Sequence, residues 1–379
     1  MSNTNKIIIT LAALVVIGLS FSAGLLFGLG DPYSQGEGTD IIDQAWSEIL
    51  TEYVDRDAID TEILSHGAIR GMLQALDDPY SSFLNAEEYT IYSSDFQGTF
   101  EGIGAYITIK EGQLSVIAPI VDSPAEKAGV KAGDIILEID GESVENMSFA
   151  EAILKIRGPQ GTLLKLLITR EGESEPFIIE IIRDKVEVAS VRLEMKEDFA
   201  HITITEFTER TGMEMAEILQ DIDEEITRGI ILDVRGNPGG ILYVVVEVAS
   251  HFLDEEIILH IKDNQGEVSP ENRVEVTPVI DLPIIMLVDS SSASGSEVLA
   301  GALQDYDRAI IAGTKTFGKG SVNLFIELDD GSAILLTISR WLTPDGYLIE
   351  GEGIEPDIEL EVTGEEAVQW AIDYLTSHN

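Results

Sequence analysis

LPIIMLVD (residues 282–289) is a short, unbroken apolar run that leads straight into SSSASGSE (290–297) and then the helical VLAGALQD. An apolar run of this length bounded by turn residues reads as a buried strand. A strand that turns tightly into a helix is half of a crossover unit, and such units stack into an α/β core. From about Val186 the rhythm repeats. Residues 201–204, 229–234 and 309–312 are further strand candidates, with helices over 211–222, 242–252 and 297–304. Residues 324–360 return to a strand pattern, and 364–375 reads as a closing helix.

The 379 residues give room for two or three domains. Ile7 to Gly30 carries no charge and is mostly aliphatic, and ~20 such residues span a bilayer as a helix. Lys6 precedes the run and Asp31, Glu37 and Asp40 follow it, which places the N-terminus inside and the rest of the chain outside the cell membrane. A cleaved signal peptide is the rival reading, but no small-x-small cleavage site precedes the polar segment. Residues 31–41 read as a linker rich in Gly, Pro and acid, and 42–84 as helical, with apolar stripes suited to packing or self-association. Asp77-Asp78-Pro79 stops the second of these helices. The net charge of −46, from 69 acidic against 23 basic residues, repels phosphate backbones and argues against nucleic-acid binding. Without cysteine there is neither a disulfide framework nor a thiolate zinc site.

Between 96 and 184 short strand-like runs alternate with glycine turns: 105–109, 114–117, 135–139, 163–169 and 177–182, with a helix over 147–156. Gly102 and Gly104 stand just before the first strand, where they let successive N–H groups point at one spot, a nest suited to a carboxylate. The strand behind them is placed to accept an extended peptide by β-augmentation. SPAEKAGVKAGDIILEIDG (123–141) and RGPQGT (157–162) follow, and the whole pattern resembles a PDZ domain. That resemblance implies that Gly102, Ile103, Gly104 and Ala105 receive the C-terminus of an apolar tail. Simple hairpin turns are the alternative for the glycines taken alone.

The chemistry of the core rests on three segments. Ser294, in the tight turn after 282–289, faces the positive end of a helix, as a nucleophile requires. Ser294 and Glu297 also satisfy a capping box, so the serine equally fits a plain helix start. A serine needs a base. None of the five histidines, His66, His201, His251, His260 and His378, sits in a glycine-rich turn beside an aspartate. The last two lysines, Lys315 and Lys319, both lie in GTKTFGKGSVN (313–323), where Phe317 and Val322 offer an apolar setting. Desolvation brings a lysine down from ~10.4 toward the range a base needs; a surface cation is the alternative. LDVRGNPGG (232–240) precedes another helix and places free N–H groups where an oxyanion sits, or else is a tight turn.

Together with GMLQALDDPYSSFL (71–84) and WLTPDGYLIEGEGIEPDI (341–358), these segments resemble, in order, the carboxyl-terminal processing, or tail-specific, serine proteases. The resemblance implies an α/β core related to the crotonase fold, with an inserted PDZ domain and an N-terminal helical segment behind one transmembrane helix. It maps the nucleophile to Ser294 and the base to Lys319, with an oxyanion hole from Gly295 and either Gly239 or Gly240. Asn323 stands where the family usually has a glutamine that orients the lysine, and positions 319, 321 and 323 share a face if that stretch is a strand. Gly236 replaces a usual asparagine and Gly295 a usual alanine. Arg157 is expected to link the PDZ domain to the core and gate the site. No metal or organic cofactor is implied.

The expected division is 1–30 anchor, 31–41 linker, 42–95 helical segment, 96–184 PDZ domain and 185–379 protease core. The expected function is an extracytoplasmic endopeptidase, held in the membrane by one pass, that takes protein or peptide substrates with apolar C-termini. The helices at 42–76 make a homodimer the expected assembly. The rival is a tethered PDZ scaffold with a weak or inactive core, kept open by Asn323. A crotonase-like acyl-CoA enzyme shares the fold, but the chain lacks a basic phosphate site.

Overall fold

A computed structural model describes residues 38–110, 113–145, 147 and 149–378. The apolar stretch Ile7–Gly30 lies outside the described residues. Among the described residues, no helix is long and apolar enough to cross a membrane. The first of two compact units ends at Ala68. It contains helix α1 (Thr39–Glu52), a short 3-10 turn (Arg56–Ala58) and the start of α2 (Thr61–Gln74). Ile41, Ile42 and Ile49 of α1 are exposed.

The second unit begins at Ile69. Helix α2 ends before Asp77, at φ 53, and Pro79 prevents it from resuming. Residues 82–84, expected to be helical, instead form strand β1 (Ser82–Leu84), followed by α3 (Ala86–Phe96). The chain then enters the inserted module through β2 (Thr99–Gly102) and leaves it through β9 (Asp184–Glu187). These two strands pair antiparallel, Thr99 with Glu187 through Gly102 with Asp184, so the expected boundary after Asp184 falls inside a strand.

Within the module, β3 (Ala105–Lys110), β4 (Gln113–Pro119), β5 (Ile135–Ile139), β7 (Leu163–Thr169) and β8 (Phe177–Ile182) form one sheet in the order β3-β4-β5-β7-β8, and β6 (Glu142–Ser143) pairs with β5. Leu164, Leu166 and Ile168 are fully buried while Leu163 is exposed, the alternation that a half-covered sheet demands. Ser123 caps the short helix α4 (Pro124–Lys127) by accepting the Glu126 N–H at 3.2 Å, with Pro124 at its first position. Helix α5 (Phe149–Ile156) closes one side, and Ala152 and Ile156 are buried in the module's core. Asp134 is fully buried and takes a two-pronged bond from Arg170 at 2.6 and 2.7 Å.

The core sheet runs β10-β11-β12-β15-β16-β19. Its strands are β10 (Val191–Lys196), β11 (Phe199–Ile204), β12 (Gly229–Asp233), β15 (Ile284–Val288), β16 (Ala309–Gly313) and β19 (Ile358–Glu359). All neighbours are parallel except β10, which is antiparallel to β11. Side-chain alternation divides the sheet. Ile202, Leu232, Met286 and Ile311 pack beneath α6 (Thr211–Gln220), α7 (Leu242–Ser250) and α8 (Gly295–Asp305). Phe199, Ile231, Ile285 and Ala312 pack against α9 (Gly364–His378) on the other face. A second sheet joins β1 to β18 (Ala333–Leu342), then β13 (Ile257–Lys262) and β14 (Val268–Asn272), with β17 (Ser321–Glu327) also on β18.

Candidate active site

Helix α8 starts at Ser294, whose backbone adopts φ 52, ψ −111. Positive φ is strained for a residue with a side chain and persists only where neighbours impose it. Asn237 does so. It is fully buried, and its carbonyl accepts the Ala293 N–H and the Ser296 hydroxyl, both at 3.0 Å. Its side chain donates to Ile204 O at 2.9 Å and accepts the Gly239 N–H at 2.8 Å. The Ser292 hydroxyl adds a bond to Val234 O at 2.8 Å. The turn after β12 and the turn after β15 are thereby clamped together.

Gly239 lies directly against the serine. A Cβ on it would stand 2.8 Å from Ala293 O, Gly295 N and Ser294 Cβ, at a φ of 105 that already favours glycine. The Gly239 N–H is committed to Asn237, whereas the N–H groups of Gly240 and Gly295, on either side of the contact with Ser294, have no acceptor among the described residues.

Glu297 is the residue whose reach exceeded its sequence reading. It is fully buried, and its carboxylate accepts the Ser294 N–H at 2.8 Å, the capping arm expected of it. The same carboxylate also accepts the Thr316 hydroxyl and the Gly318 N–H, both at 2.6 Å, and the Lys319 N–H at 2.8 Å. One buried carboxylate thus joins the serine turn to the loop carrying the lysine. That loop is further tied by the Phe317 N–H to Ser292 O at 3.0 Å and the Thr316 N–H to Ile354 O at 3.1 Å.

Lys319 and Lys315 part company here. Lys315 is a half-exposed cation paired with Glu355 at 2.6 Å. Lys319 is half-buried, and its ammonium has no ion pair or hydrogen bond among the described residues, including none to the Ser294 hydroxyl. Burial pushes its pKa below the ordinary lysine value, against the opposing pull of Glu350, Asp78 and Glu297. The residue that covers it is not Phe317, which is 56% exposed. It is Tyr80, whose ring centroid is 5.3 Å from Lys319 Nζ. The DDPYSS stretch containing Tyr80 reads from sequence as a helix stop and as part of the family resemblance; nothing local in it signals an approach to a loop so distant in sequence.

Asn323 does not share a regular strand face with Lys319. Lys319 precedes β17, and a bulge falls between Val322 and Asn323. The Asn323 amide donates to Tyr80 O and to Thr337 Oγ1, each at 3.0 Å.

The histidines lie elsewhere. His251 is buried, contacts Pro278 O through Nδ1 at 2.6 Å, and is held below its ordinary pKa by burial. His201 meets Asp233 at 3.1 Å, a pairing that the sequence did not reveal. His201 and Asp233 lie on the α9 face of the sheet, opposite α8, by alternation with Ile231. Asp233 is also gripped by Arg235 at 2.6 and 2.9 Å; burial works against its ionisation, but the Arg235 and His201 bonds outweigh it and bring its pKa to about 2.

In the inserted module, Ile103 is anchored in the core at 1% exposure. Gly104, at φ 74, sits where a Cβ would meet Ser123 Cβ at 2.5 Å. The N–H groups of Ile103 and Gly104 have no acceptor among the described residues. From Ala105 and Ile107 a cavity of about 680 Å³ runs past Ile153 and Arg157 to Phe83 and Ile91. Arg157 lies over the Phe100 ring at 4.6 Å and donates to Ser94 Oγ of α3 at 2.6 Å.

Comparison with known proteins agrees with this architecture. The chain matches peptidase family S41 over residues 198–360, a PDZ domain over 116–170 and the activating protease CtpB N-terminal domain over 35–88. The carboxy-terminal processing protease CtpA of Bacillus subtilis is 36% identical over 325 residues, spanning 85% of this chain and 69% of that protein. A carboxy-terminal-processing protease of Bartonella bacilliformis is 38% identical over 321 residues, 83% of this chain and 73% of the other. Among solved structures, a photosystem II D1 C-terminal processing protease superposes with a TM-score of 0.53 at 29% identity, covering 84% of this chain and 87% of that one. The chain therefore belongs to peptidase family S41, the carboxy-terminal processing serine proteases, and carries a PDZ domain.

Proposed function

We propose that this protease captures the apolar C-terminus of an exported protein in its PDZ domain and cleaves it by Ser–Lys catalysis. The observation that carries the reading is Lys319, half-buried and with no ion pair or hydrogen bond to its ammonium among the described residues, on a loop that shares the Glu297 carboxylate with the Ser294 turn. Neutral Lys319 takes the Ser294 hydroxyl proton as the oxygen bonds to the scissile carbonyl carbon. The oxyanion is received by the N–H groups of Gly295 and Gly240, Gly239 being spoken for. The lysine returns its proton to the leaving amine as the C–N bond breaks, and water then hydrolyses the acyl-enzyme with Lys319 again as base. No cofactor enters these steps.

Ile103, Gly104 and Ala105 supply the carboxylate nest beside Gly102, and the apolar cavity beyond receives the tail's side chains. Arg157 is the gating residue in this reading, since it ties the end of α5 to α3. Ile7–Gly30 anchors the chain in the cell membrane with the catalytic part outside, and the exposed apolar positions of α1 favour a homodimer. The layered core, with helices on both faces of its sheet, supports a relationship to the crotonase fold.

The test is cleavage of a reporter protein ending in an apolar tail by the full chain. Cleavage lost in Ser294→Ala and in Lys319→Ala, with tail binding retained, supports the mechanism. Binding without cleavage by the wild type, across tails and pH, replaces it with a tethered scaffold. Equal basal and tail-stimulated activity in Arg157→Ala and the wild type removes the gating role.

A further inference from the structure

The usual expectation for a side chain at position 323 is direct orientation of the lysine, and here Asn323 makes no bond to the Lys319 ammonium. Asn323 turns its amide to the backbone carbonyl of Tyr80, while the Tyr80 ring, not the amide, meets Lys319. We propose that Tyr80 is the positioning residue that keeps water from Lys319, and that Asn323 acts on the base only through Tyr80. This rests on Lys319 being the base.

The turn that carries Tyr80 is held at several points. The Tyr80 N–H donates to Asp78 Oδ1 at 3.1 Å, the Ser81 hydroxyl to Asp78 Oδ2 at 2.6 Å, and the Thr337 N–H to Ser81 Oγ at 3.1 Å. Ser82 then enters β1 opposite Leu335. Asn323, itself braced on Thr337 and by the Ser321 hydroxyl at 3.3 Å, adds the bond that fixes the Tyr80 carbonyl.

The ring has two opposed effects on the ammonium. Its face attracts a cation, whereas its bulk excludes the water that a cation needs. Burial is the leading cause of the lysine's lowered pKa, and the Tyr80 ring is a body packed beside the ammonium, 5.3 Å from Nζ. The charges facing Lys319 are Glu350, Asp78 and Glu297, and Arg340 joins them around Tyr80. All four remain in the variants below, so a shift of the lysine among them reports on the ring.

The experiment is the pH dependence of kcat/KM for tail-bearing substrate with the full chain, where activity rises with pH as Lys319 loses its proton. In Tyr80→Ala the acid limb moves up by about one pH unit, a roughly tenfold loss at neutral pH that is regained in alkali. Tyr80→Phe keeps the ring and restores the limb. Asn323→Ala and Asn323→Gln move the limb in the same direction but less, and Asn323→Ala adds nothing in the Tyr80→Ala background. In a Ser294→Ala background, the pH dependence of Lys319 reductive methylation reads the same ionisation without catalysis, so a variant too slow to assay still answers. A limb and a methylation profile unmoved in Tyr80→Ala overturn the inference, as does an Asn323→Ala shift of equal size with and without the ring. Activity surviving in Lys319→Ala overturns the Ser–Lys reading itself, a separate outcome.

Discussion

Ser294 and Lys319 donate their backbone N–H groups to the same oxygen, Oε2 of Glu297, each at 2.8 Å. The two turns are thus registered by one buried anion, whose other oxygen is filled by Thr316 and Gly318. Glu297→Gln replaces one acceptor oxygen with a donor that faces N–H or O–H groups. It is expected to lower kcat by ~10²-fold, since a displacement of ~1 Å suffices for that. Tail affinity, which the proposed function assigns to the PDZ domain, is expected to stay at the wild-type value. Steady-state kinetics beside fluorescence binding of a tail peptide checks both halves.

Gly239→Ala places a methyl 2.8 Å from Ser294 Cβ and from Gly295 N, at a backbone angle that penalises any side chain. The serine turn has to move. The expected result is a stability loss of ~1–3 kcal/mol with loss of most activity. Denaturant melts and reporter cleavage measure these, and wild-type kcat in this variant would refute the contact.

Lys319→Met removes a charge from a half-buried site while nearly keeping the volume. Because the folded-state pKa is lowered, the lysine destabilises the fold below that pKa and the penalty is relieved as pH rises toward the unfolded value. The methionine variant is expected to be inactive yet more stable by ~1 kcal/mol at neutral pH, with the advantage shrinking in alkali. Unfolding midpoints across pH decide it.

Asp233 contributes in the opposite sense. Its pKa is lowered from 3.8 to about 2, so the stabilisation is full above pH ~4 and is lost as pH falls toward 2. Asp233→Asn is expected to cost ~2 kcal/mol at pH 7 and to flatten the acid limb of the stability curve over that window. An unchanged acid limb would detach the His201–Asp233–Arg235 cluster from stability.

Much of the core was legible because its central strands are apolar on both faces. Residues 284–288 and 229–233, and the start of α8 beside Ser294, could be placed from local pattern alone. What escaped was the meeting of segments far apart in sequence. Glu297 advertised a cap, and a cap it is, but its bonds to the Lys319 loop depend on β16 lying beside β15. Tyr80 carried no local mark of its place over Lys319, because β1 reaches that neighbourhood only by pairing with β18. Phe317 was chosen for desolvation by proximity in sequence, and the loop turns it outward.

The β2–β9 ribbon brings the two ends of the inserted module side by side, from Thr99 opposite Glu187 to Gly102 opposite Asp184. A body attached by neighbouring ends resembles a cartridge in a socket. Its own sheet closes without borrowing a strand from the core. Changes along Ala105–Lys110 and Phe149–Ile156 therefore leave the Ser294 and Lys319 turns built by other strands, so that under the proposed function a lineage can exchange its recognition while inheriting its chemistry intact.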